Sequence, residues 1–445
     1  MTMDRIMTWA EFRKRTEEYI RSRCKVSPGF FRLALAGVRI TRSVQSLSRR
    51  LSPSRSRRGG KQIRILHLGQ VHSPHFASVN KFIKQKFASN HIRQRGYLLC
   101  SYPVICWFKE VDDEVFDYSN YGYLKTVQQR DWEDSLLFKA HNPLVPVMEK
   151  VRRLLKNWKP DLVWIHELQS GGYLYLDAVD RLGKNTPVIA SAYGNDLYFF
   201  RDSRAHRQRL QKLLPMVDLL HVETERDKLI ALEFGYENAF APFCSVCFKD
   251  HRGASAFKHD GERNIYLLIK GSHRLRSDLG SFFRLLESKP QFWVGRKIVV
   301  FNASNEDRFF CERIGRGLGI DIEATGALPH TEVLEMMSRS RFHLSVTLSD
   351  GVANTCAEAV TAGCIPLITN HNGFFELVPR GFLQHLCFTL PLSVSLYSQM
   401  QALDDDKALK NEILRQLNAT VGQYYSDEIY DQFFEKVRDL APTKD

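Results

Sequence analysis

From Gln62 onward, short apolar runs alternate with longer amphipathic ones, the pattern of strands and helices taking turns along a parallel sheet. Ile63 to Leu68 predicts a strand ending at Gly69. Ser78 to about Arg95 predicts a helix stopped by Gly96, and Tyr97 to Ile105 the next strand. A basic amphipathic helix over about Pro143 to Trp158 is broken by Pro160, and Asp161 to His166 reads as a strand. A helix around Tyr173 to Leu182 and a strand over Pro187 to Ser191 follow. The rhythm pauses between Ala241 and Arg263 and then restarts. Strands are predicted at 265–269, 297–301, 320–324, 342–346 and 365–369, with helices at 279–287, 308–318, 331–339 and 353–362 between them. Segment 112–140 is aromatic and polar and predicts no element.

This alternation implies two Rossmann-like α/β domains, each a parallel sheet covered on both faces, with a cleft between the carboxyl ends of the two sheets. The domains run over residues 62–245 and 246–420. A C-terminal helix, Tyr424 to Leu440 within 421–445, is expected to return to the first domain. Residues 1–61 form a separate basic arm and linker. Ile40, Val44, Leu47 and Leu51 recur there at the spacing of one helical face, among Arg39, Arg42, Arg49 and Arg50.

Charge changes the picture. The chain of 445 residues has a formal net charge of +13. Residues 1–61 hold 16 Lys and Arg against 4 Asp and Glu, a net of +12, which leaves +1 for the rest. A pI driven by one arm argues against nucleic acid as the partner of the body. The arm instead suits an anionic membrane surface, its apolar face entering the interface and its arginines meeting head groups. A solvated tail, a small helical cap, or an RNA-binding or targeting role remain as alternatives for it. No run approaches the ~20 apolar residues of a membrane span, and the acidic and basic residues of 1–19 do not fit a secretory signal. The chain is therefore expected in the cytoplasm, peripheral at the inner face of the membrane if the arm binds there. Nine scattered cysteines predict reduced thiols.

The segment richest in chemistry is Ser345 to Glu376. A predicted strand ends at Asp350, Gly351 permits a tight turn, and Val352, Ala353, Asn354 and Thr355 lead into a helix. Unpaired N–H groups at such a helix start favour phosphate or sugar oxygens. Glu358 lies inside that helix, Gly363 ends it, and Asn372-Gly373 forms a second turn beneath the same cleft. Lys270 directly follows an apolar strand and would point a cation into the cleft; a solvated strand-end lysine is the plainer reading. His166 ends a strand of the first domain, either as a structural histidine or as a contact to the acceptor. His72 and His75 lie in the loop after the first strand. Asp404 to Asp406 reads as a solvated acidic turn and not a metal site. Neither a GxGxxG after Leu68 nor a P-loop nor a GxSxG elbow is present, which sets dehydrogenases, NTPases and serine hydrolases aside.

Asp350-x7-Glu358, Gly363, Pro366 and Gly373-Phe-Phe-Glu376 together resemble the E-x7-E unit of retaining nucleotide-sugar glycosyltransferases of the family 4 (group 1) type, which have the GT-B architecture. Pro160 to Glu167, Tyr193-Gly-Asn-Asp196 and the Lys270-Gly271 region add to the likeness, which is strongest over 320–376. The resemblance implies that Glu358 binds ribose hydroxyls, Asp350 the transferred sugar, and Lys270 and Arg276 the diphosphate, with Arg274 competing for the last role. Gly69 and Asp196 would line the cleft, with Gly351 to Thr355, Asn372 and Gly373 opposite them. It also implies a nucleotide-diphosphate sugar as donor, a glycan or lipid-linked acceptor, and no metal, cofactor or protein nucleophile. Asp350 departs from the pattern, where a glutamate is usual, and its side chain is ~1.5 Å shorter. That departure keeps a second possibility open, a non-catalytic GT-B protein recruited to membranes. For the arm, the full-length chain is expected to float with anionic liposomes and a chain beginning at Lys61 to remain behind; equal flotation would contradict membrane contact.

Overall fold

The computed structural model describes residues 63–69, 79, 92–98, 148, 151–180, 182–245, 263–271 and 277–441. The arm, His72, His75, Arg274, Arg276, segment 112–140 and Asp112-Asp113 lie outside the described residues. The described residues all belong to one compact unit, within Lys61–Asp445.

Two six-stranded sheets organise the body, and every ladder in them is parallel. The first contains β1 (Ile63–Gly69), β2 (Ile92–Leu98), β3 (Leu162–His166), β4 (Val188–Ser191), β5 (Leu219–His221) and β6 (Ala239–Phe240), in the order β2-β1-β3-β4-β5-β6. The second contains β7 (Ile265–Lys270), β8 (Ile298–Phe301), β9 (Ile322–Ala324), β10 (Ser340–Ser345), β11 (Ile365–Thr369) and β12 (Cys387–Phe388), in the order β12-β11-β10-β7-β8-β9. Each order reverses direction once, between β1 and β3 and between β7 and β10. In open parallel sheets the crevice for ligands opens at the carboxyl ends of the strands flanking such a reversal. Those ends are Gly69 and His166 in one sheet and Lys270 and Ser345 in the other.

The main helices are α1 (Tyr173–Val179), α2 (Arg204–Leu213), α3 (Glu225–Glu233), α4 (Leu279–Ser288), α5 (Asn305–Leu318), α6 (His330–Ser338), α7 (Asn354–Thr361), α8 (Ser395–Asp405), α9 (Lys407–Tyr424) and α10 (Asp427–Leu440). Strands β3 and β10 are buried on both faces, as parallel strands between helical layers must be. Ile413, Leu417 and Val421 of α9 are buried. The fully buried Phe433 of α10 then packs on Trp164 and His221 of the first sheet, with ring centroids 5.7 and 4.6 Å apart. None of the described helices is long and apolar enough to cross a membrane.

One predicted boundary is corrected. The helix expected to run to Arg95 cannot do so, because Ile92–Leu98 is a strand in register with β1, from Ile63 opposite Ile92 to Gly69 opposite Leu98. Pairing with the sheet overrides the weak local preference of Arg93, Gln94 and Arg95, which an edge strand tolerates. Asp404 to Asp406 is a helix junction: Asp404 pairs with Arg341 at 3.4 Å and Asp406 caps α9 by accepting from the Leu409 amide.

Several histidines are enclosed in these sheets. His221 is fully buried, against the Cys244 carbonyl at 3.1 Å, and burial pushes its pKa down to about 4 despite that bond. His343 on β10 is also pushed down to about 4, first by burial, with Lys270 adding to the effect. His166 is also held well below the usual histidine range, first by burial and then by His67 and His221. The unfolded chain, titrating near 6.5, therefore binds protons that the folded chain refuses, and stability rises with pH across this interval. Stability is expected to be complete above about pH 6.5 and to fall as pH drops toward 4, by at most about 1.4 kcal/mol per pH unit for each histidine. Urea midpoints between pH 7 and 4.5 test this, with a shallower slope expected in His221→Gln; a flat profile would contradict it.

Candidate functional site

The second domain supplies one wall of the crevice. Lys270 closes β7 and its side chain is exposed, directly before the turn at Gly271. β10 ends at Ser345 and not at Asp350 as the sequence suggested, Asp350 making only an isolated bridge with Asn372, and the chain then runs through Gly351, Val352 and Ala353 into α7. The N-cap residue of α7, Ala353, has no side-chain group to bond the first turn, and its own amide donates to the Asn372 carboxamide oxygen at 3.5 Å; a helix start of this kind carries partial positive charge. Asn354 and Thr355, half-buried, form its first turn. The Asn354 carboxamide accepts from the Tyr425 hydroxyl at 3.2 Å.

Glu358, one turn further on, is buried and not turned to bulk solvent. Its carboxylate meets Nε2 of the exposed His330 at 2.8 Å, at the start of α6. Electrostatics ties these residues together. The Lys270 charge lowers the His343 pKa while the Glu358 charge raises it. Burial, and then the Asp350 charge, raises the pKa of the buried Cys356 thiol, while Lys270 opposes that. Lys270, Asp350 and Glu358 thus bear on two buried side chains of this region, His343 and Cys356. Asn372 is wholly buried beneath this turn. Its amide donates to the Ser345 hydroxyl at 3.1 Å, and its carbonyl oxygen accepts from the Phe374 amide at 3.0 Å. Gly373 lies against Gly351 and Thr224.

The first domain supplies the opposite wall, at the carboxyl ends of β1, β3, β4 and β5. Gly69 lies against the His166 backbone. His166 itself is buried: Nε2 is 3.0 Å from Nδ1 of His67, Nδ1 is 3.5 Å from the Tyr193 hydroxyl, and its ring stacks on Trp164. Asp196 is buried too and accepts from the Leu168 amide at 2.7 Å, fixing the turn after β3. The sequence-predicted residues therefore fall in two groups. Lys270, Asp350 to Thr355, Glu358, Asn372 and Gly373 gather around the start of α7. Gly69, His166 and Asp196 gather at the switch point of the first sheet.

Contacts across the gap join motif residues, Glu376, Gly194 and Gly351, to Glu223, Arg226, Tyr198 and His371, which the sequence reading missed. The Glu376 carboxylate, on the second domain, accepts from the Glu225 and Arg226 amides at 2.7 and 2.9 Å, at the N-terminus of α3. Arg226 reaches back, donating to the Asp350 and His371 carbonyls at 2.7 and 2.9 Å with its guanidinium 4.1 Å from the Tyr198 ring centre. The Tyr198 hydroxyl is 2.7 Å from Nδ1 of His371. Gly194, at φ +76°, approaches Gly351 so closely that a Cβ would overlap the Gly351 amide. Finally, the Glu223 carboxylate of the first domain accepts from the Val352 amide at 2.8 Å, lying over the Cα of Gly351. The one signal for this set was Thr224-Glu-Arg-Asp227, a helix-start pattern; the Thr224 hydroxyl does accept from the Asp227 amide at 3.1 Å.

Comparison with known proteins follows this geometry. Residues 119–224 match a family model described as glycosyl transferase 4-like. No curated protein matches the chain in sequence. Among solved structures, HepE of Anabaena in complex with UDP-glucose is similar at 13% identity and a TM-score of 0.62, over 85% of this chain and 100% of that one. A UDP-forming trehalose-phosphate synthase from Burkholderia xenovorans is similar at 14% identity and a TM-score of 0.58, over 86% of this chain and 100% of that one. The E. coli trehalose-6-phosphate structure bound with UDP-2-fluoro glucose gives 14% identity, a TM-score of 0.59 and the same shares. At such identities the likeness is one of fold. The chain has the GT-B fold of glycosyltransferases and matches the glycosyl transferase 4-like family over 119–224.

Proposed function

We propose that the protein is a glycosyltransferase that moves a sugar from a nucleotide-diphosphate donor to a glycan or lipid-linked acceptor, with retention at the anomeric carbon. The observation that carries this reading is the buried Glu358 one turn into α7, behind the tight turn at Gly351, with the exposed His330 on its carboxylate. A buried carboxylate at that position accepts hydroxyl donors such as those of a ribose, and the exposed His330 holds it until the donor arrives. Breaking the sugar–phosphate bond leaves charge on the diphosphate, which Lys270 and the first amides of α7 stabilise. On the resemblance, Arg276 shares this role. The departing phosphate oxygen accepts the acceptor's proton on the face from which it left, so position and charge are what the protein contributes.

The acceptor lies against the first domain, near the switch point at Gly69, with Asp196 fixing the loop behind it. An arm on a membrane surface places a lipid-linked acceptor within reach. UDP-sugars are the first donors to try, because HepE of Anabaena is seen with UDP-glucose.

One observation favours a second reading, a GT-B protein that binds without catalysis: the Val352 amide at the turn is already taken by Glu223. A thermal-shift panel of UDP-, GDP-, ADP- and CMP-sugars separates the two. One nucleotide class at 100 times its Kd is expected to stabilise the chain by about 2.7 kcal/mol, an effect lost in Glu358→Ala. Indifference to every donor would overturn the enzymatic reading.

A further inference from the structure

Arg226, on α3 of the first domain, is a cation beside the donor-site turn that is committed to other partners. Each of its three guanidinium nitrogens has an acceptor. Nε donates to the Asp227 carboxylate at 3.0 Å, Nη1 to the His371 carbonyl at 2.9 Å and Nη2 to the Asp350 carbonyl at 2.7 Å. The guanidinium lies 4.1 Å from the Tyr198 ring centre, a cation–π contact, and the Tyr198 hydroxyl is 2.7 Å from Nδ1 of His371. Its side chain is only 18% exposed. A charge held from this many sides is not placed to follow a diphosphate. Two of its bonds instead cross the gap to backbone atoms.

Those two carbonyls mark the point where two loops of the second domain meet. Asp350 bridges to Asn372 in parallel, with the Asp350 amide 3.4 Å from the His371 carbonyl and the Gly373 amide 3.3 Å from the Asp350 carbonyl. Both bonds are longer than the usual upper limit of about 3.2 Å, so the bridge is weak by itself. A carbonyl oxygen has two lone pairs, and Arg226 bonds each of these oxygens a second time, at shorter distances and with the added strength of its charge. One loop leads through Gly351 and Val352 into α7 and Glu358; the other forms the turn at Asn372-Gly373. The offset between them sets where α7 begins. A planar guanidinium can hold two acceptors at a fixed spacing, whereas a lysine ammonium on its flexible stem is a point charge. Resting on the donor reading above, we propose that Arg226, steadied by Tyr198, is a positioning residue: it holds the two donor-site loops in register from the opposite domain without touching the donor.

The test is binding of UDP and of UDP-glucose, measured by calorimetry on the full chain, in wild type, Arg226→Lys, Arg226→Ala and Tyr198→Phe. Arg226→Lys keeps the charge beside Tyr198 but not the fork. It is expected to weaken both ligands about tenfold, nearly as much as Arg226→Ala, the size of effect that one lost hydrogen bond to a charged group produces. Tyr198→Phe keeps the ring under Arg226 and loses only the bond to His371, so about a threefold weakening of both ligands is expected. This variant removes a single oxygen and carries the test if Arg226→Ala does not fold. Wild-type affinity in Arg226→Lys would overturn the proposal, because charge alone would then suffice. Wild-type affinities in all three variants with lowered melting temperatures would also overturn it, showing a residue that serves the fold only. A wild-type chain that binds neither UDP or UDP-glucose nor GDP or GDP-mannose brings down the donor reading itself, and this proposal with it.

Discussion

Everything at the site depends on backbone amides at two helix starts being held by carboxylates from the opposite domain. Glu376 closes the N-terminus of α3, and Glu223 holds the amide just before α7. Exposed amides at a helix start carry partial positive charge, so a carboxylate there is bound by charge-assisted hydrogen bonds, about twice as strong as neutral ones. Arg226 completes the arrangement by joining the carbonyls of Asp350 and His371 to the first domain. The turn that would receive a donor is therefore positioned by both domains, and its geometry follows how closely they approach.

The strands and their order make that approach possible. Both sheets reverse direction next to their first strand, so both crevices open at carboxyl ends. Gly194 and Gly351 then permit a backbone-to-backbone meeting that no side chain would allow. On one side of this meeting lie the Lys270 charge and the start of α7; on the other lie the histidine-rich ends of β1, β3 and β5. His67, His166 and His221 are enclosed by Trp164 and Phe433, which keeps His166 and His221 neutral over the physiological range. Beside these neutral histidines of the first wall, Glu223 and Arg226 carry the charges that meet the second domain.

Much of this was legible in the sequence because parallel strands between helical layers are short and uniformly apolar. Leu162 to His166 and Ile365 to Thr369 announce themselves that way, and so do the turns at Gly351 and Asn372. Glu358 was legible because one helical turn past a tight turn places a carboxylate under the cleft. The edge strand Ile92–Leu98 was not, since its arginines and glutamine carry no strand signal and only pairing with β1 defines it. Segment 204–240 was passed over because its strands are only three and two residues long. Glu223 and Arg226 were invisible for another reason: beside Glu225 and Asp227 they look like the solvated charges of any helix start. Their partners lie more than 120 residues away along the chain.

Hydrogen–deuterium exchange of the amides of Glu225, Arg226 and Val352 addresses the cross-domain contacts most directly. In the wild-type chain these amides should be protected. Combining Arg226→Ala with Glu376→Gln should speed exchange at both helix starts together while β3 and β10 stay protected. Exchange of Val352 at the rate of a free loop in the wild type, or no response to the paired substitution, would contradict the account.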